Sequence, residues 1–104
     1  MVILKAKFNA RLVQFGGNEM PEISRFFGVI ITMYWNDHNP PHFHAQYGEH
    51  EVLINLNGVV MEGKIPRRAL SMVLEWLAIH RDELLENWTL CKLRKPLLPV
   101  EPLD

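Results

Sequence analysis

The chain has 104 residues and one cysteine, Cys91, so no internal disulfide framework can form and a reducing compartment is the natural setting. No apolar run approaches the roughly 20 residues that a bilayer-crossing helix needs. The first residues, with Lys5, Lys7 and Arg11 scattered among short apolar runs, lack the continuous apolar segment of a signal peptide. A cytoplasmic protein that touches no membrane is the expectation. Charge is balanced as well: 11 Lys and Arg against 12 Asp and Glu leave a net charge of -1. No whole-molecule field therefore draws in nucleic acid, which would need a local patch. Repeats and low-complexity tracts are also lacking. With 48% apolar and 22% charged residues, what remains is one globular domain with a single core.

What the chain does hold is concentrated histidine. Three of its five histidines fall in the eight-residue stretch Asp37-His38-Asn39-Pro40-Pro41-His42-Phe43-His44. Histidine is the side chain that moves protons and ligates metals near neutral pH, so any chemistry should sit here. Pro40 and Pro41 fix φ and deny helix to the residues before them, which makes the segment an extended loop leading into a strand. His42 and His44, two apart, then share one strand face, with Phe43 on the other.

The sequence divides into three parts. Residues 1–19 close on Gly16-Gly17-Asn18 and read as an extension outside a core domain of residues 20–104, either a short strand between Val2 and Phe15 or a disordered arm. From Phe26 to Gly63 the period is two. Val29 to Trp35 reads as a central strand, and Gly48-Glu49 and Asn57-Gly58 as two-residue hairpin turns. With both turns tight, Ala45 pairs with Val52, Phe43 with Ile54, Leu56 with Val59 and Ile54 with Met61. His42, His44, Gln46, Glu51 and Asn55 then collect on the face away from the core. From Pro66 the period becomes 3.6, through Leu70, Val73, Leu74 and Leu77 and again Leu84, Leu85, Trp88 and Cys91. A continuous helix to Arg94 would be about 43 Å long, so a break near His80-Arg81-Asp82 is expected, with Asp82 capping a second helix. The fold class is α+β: an antiparallel meander of three to four strands packed on one long broken helix or two C-terminal helices. The tail from Pro96 reads as an extended strap or frayed end.

Phe26-Phe27-Gly28, Met33-Tyr34, the stretch from Asn36 to Ala45, Gly63 to Leu70, His80-Arg81-Asp82-Glu83-Leu84 and Asn87-Trp88 resemble the prokaryotic domain-of-unknown-function family 4160, over Met20 to Asp104. The resemblance implies a start near Met20-Pro21. It also implies a second small protein encoded nearby, in a toxin–antitoxin-like arrangement.

Three functions suit these residues. In the first, a toxin-like component cleaves RNA without metal. His42 and His44 serve as the acid–base pair, Asp37 or Glu51 sets a tautomer, and Arg67 and Arg68 at the helix start hold the phosphate. No cofactor is expected on that reading, nor retained metal. In the second, the chain is a non-catalytic partner-binding protein of the same module, and the motif is a rigid recognition loop; self-association is open in either case. In the third, His38, His42 and His44 bind a metal ion. Set against all three is the bland reading, in which the histidines decorate the solvent face of a strand. Trp76 and Trp88 read as core or interface, Lys92, Arg94 and Lys95 as complement to the helix dipole, and Cys91 as a buried small hydrophobe.

Overall fold

The computed structural model describes residues 21–35 and 37–104. The strand or arm read between Val2 and Phe15 lies outside them. Five strands, β1 (Glu22–Phe26), β2 (Val29–Thr32), β3 (His42–Tyr47), β4 (His50–Asn55) and β5 (Val60–Lys64), form an antiparallel meander in chain order, followed by one helix, α1 (Arg67–Lys92). The architecture is α+β with five strands rather than three to four. The additional strand is β1, whose Ser24 and Arg25 interrupt the apolar alternation. Its hairpin turns through Phe27-Gly28 with both φ values positive, at 46° and 86°. That turn geometry is usually signalled by Asn-Gly, so Phe-Gly leaves little trace of it in the sequence.

The register of β3 on β4 follows the expected one, with Phe43 opposite Ile54 and Ala45 opposite Val52. Along β4 and β5 the expected register holds at Leu53–Glu62, Val52–Gly63 and Glu51–Lys64, but next to the turn it slips by one: Ile54 faces Val60, not Met61, and the pairing shifts between Leu53 and Ile54. The cause is the Asn55 side chain. Its Oδ1 accepts from the backbone N–H groups of Asn57 (2.9 Å) and Val59 (3.0 Å). The Asn55 N–H meanwhile donates to the Val59 carbonyl at 3.0 Å. This makes Asn55 and Val59 partners across a three-residue loop, Leu56-Asn57-Gly58, with Gly58 left-handed at φ 85°.

The core lies between this sheet and α1. Trp76 is fully buried, with its ring 5.5 Å from that of Phe26 and 5.8 Å from that of Phe43. A straight 26-residue helix would run about 39 Å, whereas the longest principal extent of the Cα trace is 32 Å. The helix kinks at His80 (φ -116°, ψ 19°) and continues without a new cap at Asp82. The tail is the strap form. Val100 N–H donates to the Ile23 carbonyl (2.8 Å), the Trp76 indole N–H to the Glu101 carbonyl (2.9 Å), and fully buried Asn87 grips Leu98 by both its N–H and its C=O.

Candidate metal centre

Three elements converge at the start of β3. The alternation of the strand sends His42 and His44 to the same side, where the loop from β2 delivers Asp37, its N–H donating to the Tyr34 carbonyl at 3.4 Å. Asp37 Oδ2 lies 3.2 Å from His42 Nε2 and 2.9 Å from His44 Nε2. From beyond the helix kink, Trp88 places its ring 5.4 Å from that of His42, and Lys92 lies over that Trp88 ring while its Nζ donates to the Asp37 backbone carbonyl at 3.0 Å. Tyr34 meets the His44 ring edge-on at 4.4 Å.

The other ring nitrogens are already committed. His42 Nδ1 is 2.8 Å from the Pro40 carbonyl oxygen, which can only accept, so this nitrogen carries the proton. His44 Nδ1 is 2.9 Å from Glu51 Oε2, and an ionised carboxylate likewise accepts. In the neutral imidazoles both Nε2 atoms are then lone-pair donors, aimed at a carboxylate oxygen that also offers lone pairs. Without a cation between them, or a further proton on each ring, these atoms repel. The spacing suits a cation. Donors about 2.05 Å from one metal ion are about 2.9 Å apart at right angles and about 3.3 Å apart at the tetrahedral angle, bracketing the 2.9 and 3.2 Å observed. The three donor atoms lie within 4.8 Å of one another, the only such His, Cys, Asp or Glu grouping among the described residues. Nδ1–H bonds to a carbonyl and to a carboxylate are also how ligating histidines are usually held by their surroundings.

The profile of the family described as a domain of unknown function, DUF4160, matches residues 28–89. The chain belongs to that family. No curated protein and no solved structure matches it. The matched part of this DUF4160 domain includes Asp37, His42, His44, Glu51 and Trp88, while Lys92 falls just beyond it.

Measured against the sequence reading, the structure brings His42, His44 and Asp37 together, with Glu51 fixing a tautomer. It differs in three places. His38 is exposed and outside the cluster, so the grouping that could hold an ion is Asp37, His42 and His44, not His38, His42 and His44. His42 is only 5% exposed, because Trp88 and the proline loop cover it; it is not a solvent-face residue. Arg68 does not join the histidines. Arg68 borders a groove with Phe27, Tyr47 and Met72 beside the far end of β3, five residues and about 16 Å along the strand from His42. The sequence reading missed Lys92 and Trp88 as neighbours of Asp37 and His42. Their i,i+4 spacing marks one helix face, but nothing local says that this face meets the histidine loop. Cys91 is buried as expected, and its thiol is pushed up to about 12, first by burial and then by the negative charge of Asp37, with Lys92 opposing. Among the described residues no helix is long and apolar enough to cross a membrane.

Proposed function

We propose that this DUF4160 protein binds a divalent transition-metal ion through Asp37, His42 and His44 and uses it for hydrolysis. The observation that carries the proposal is the convergence of three lone-pair donors whose partner nitrogens are tied off. Two imidazoles and one carboxylate suit zinc or ferrous iron, and three protein ligands leave coordination positions open, the mark of a catalytic rather than a structural centre. A bound ion there supplies an activated water and polarises a substrate oxygen. Glu51 holds His44 in its ligating tautomer, Pro40 does the same for His42, and Lys92 anchors the loop that carries Asp37.

An RNA phosphodiester is the substrate to test first, in keeping with the toxin-like reading. The metal-free version has one observation in its favour, two imidazoles within hydrogen-bonding distance of one carboxylate. Against it, both Nε2 atoms are engaged by the same oxygen, and Arg68, one of the two arginines proposed for the phosphate, lies at the other end of the strand. Purified protein is assayed on total RNA with EDTA, with Zn²⁺ and with Mn²⁺. Cleavage that needs added metal and is lost in His44→Ala supports the metal centre, whereas cleavage undiminished by EDTA restores the acid–base pair. Growth arrest on expression of the chain alone, relieved by His44→Ala, supports the toxin-like role. Arrest that His44→Ala leaves intact supports the partner-binding alternative.

A further inference from the structure

On one flank of the proline loop lies a groove of about 250 Å³. Its walls are apolar, from Pro40, Pro41, Leu56 and Leu85, and its polar groups are Asn55, Asn57 and Arg81. It is joined to the histidine cluster at two points. Pro40, whose carbonyl takes the His42 Nδ1–H, is part of its wall, and Asn55 is the register partner of His42 across β3 and β4.

The hydrogen-bonding character of the groove is one-sided. The Pro40 carbonyl is bonded to His42, the Pro41 carbonyl accepts from Leu56 N–H (3.3 Å), and the Asn55 carbonyl accepts from Gly58 N–H (3.0 Å). Asn55 Oδ1 is taken twice within its own turn, and Asn57 Oδ1 accepts from Arg81 NH1 at 3.2 Å. Each of those acceptors already takes at least one hydrogen bond, whereas the amide NH₂ groups of Asn55 and Asn57 and the remaining guanidinium N–H groups of Arg81 are still available. Proline contributes no N–H to the wall and Leu85 only apolar surface. Arg81 is the only formal charge among the lining residues, held in place by its bond to Asn57. A ligand that suits this groove brings acceptors and negative charge for Arg81 and the two asparagines together with an apolar body for the prolines and leucines, and a volume of about 250 Å³ leaves room for about one ring beside the charged group.

We infer that the groove binds a ring-bearing organic phosphate through Arg81, Asn55 and Asn57, with the ring packed on Pro40, Pro41 and Leu85. The binding stands on the groove alone. Its role, positioning the substrate beside Asp37, His42 and His44, rests on the metal-centre reading.

The test is an NMR titration of chelator-treated, metal-free protein with phenyl phosphate, with inorganic phosphate and phenol as controls. Phenyl phosphate is expected to shift the amide signals of Leu56, Asn57 and Leu85 saturably, with both controls at least tenfold weaker. Arg81→Ala should weaken phenyl phosphate binding tenfold or more, since a charge-assisted contact is lost. Leu85→Trp, at an exposed helical position that fills the groove, should abolish it with Arg81 intact. Arg68→Ala, in the other groove, should change nothing. The inference is overturned if phenyl phosphate shifts no groove amide, if Arg81→Ala binds as well as wild type, or if the shifts map to Phe27, Tyr47 and Met72. Because the titration uses metal-free protein, its result is independent of whether the histidine cluster binds metal.

Discussion

Truncating His42 should cost far more stability than truncating His44, although the two are adjacent on one face. The His42 side chain is 6% exposed and that of His44 14%. His42 packs on Trp88, bonds Pro40 and lies 3.2 Å from Asp37, whereas the partners of His44 are Asp37, the half-exposed Glu51 and the edge of the Tyr34 ring. His42→Ala loses one hydrogen bond, about 1 kcal/mol, and leaves a ring-sized void beneath Trp88, for which large-to-small substitutions suggest about 2–3 kcal/mol more. The sum, about 3–4 kcal/mol, corresponds to a fall in Tm of roughly 12–32 °C for a domain of this size. His44→Ala lets Asp37 and Glu51 hydrate and should cost about 1 kcal/mol. Thermal melts followed by circular dichroism, with EDTA present so that metal binding adds nothing, separate the two. If His42→Ala melts within about 2 °C of wild type, or if His44→Ala is the more damaging, the packing argument is wrong. It follows that His44→Ala, not His42→Ala, is the variant with which to probe activity.

Gly63→Ala should cost more than about 2 kcal/mol in urea unfolding, because φ is 79° and a Cβ there would sit 2.3 Å from the Glu51 carbonyl oxygen; a cost below about 1 kcal/mol would show that β5 is not held as described. The Cys91 thiol should ignore alkylating reagents near neutral pH in the folded protein and react once per chain in urea. Above an ordinary thiol value of 9.0 the unfolded chain ionises while the folded thiol, raised to about 12, does not. Its contribution to stability is therefore intact below pH 9 and falls by about 1.4 kcal/mol per pH unit between those values, a slope that Cys91→Val should flatten. Asn87→Ala strips both partners from the Leu98 backbone and should cost about 2–3 kcal/mol, seen as earlier proteolytic release of the tail from Pro96 onward.

Much of this was legible in the sequence because local rules and tertiary needs agree. The β3–β4 register follows from alternation and the Gly48 turn, the helix break at His80 from the excess length of an unbroken helix, and the pairing of His42 with His44 from their spacing of two. The failures have particular causes. β1 was hidden by Ser24, Arg25 and a Phe-Gly turn that carries little signal. The Ile54–Met61 pairing was wrong because one side-chain oxygen, that of Asn55, outweighed the dipeptide rule for Asn57-Gly58. That Asp37 and not His38 lies beside His42 and His44 has no signal in the loop, since alternation and proline geometry say nothing about which loop residue turns inward. Asp37 and His42 meet Lys92 and Trp88, about fifty residues away, a contact that periodicity in either segment does not encode.

Metal content tests the central claim most directly. Protein purified without chelator is analysed by mass spectrometry for zinc and iron, alongside Asp37→Asn and His44→Ala, and each is melted with and without EDTA. The account predicts close to one ion per chain in wild type and little in either variant. Chelation should lower the wild-type melting temperature alone, since an ion at a hundred times its Kd adds about 2.7 kcal/mol. Wild-type protein that carries no metal, and whose melting temperature added Zn²⁺ or Fe²⁺ leaves unchanged, would contradict it.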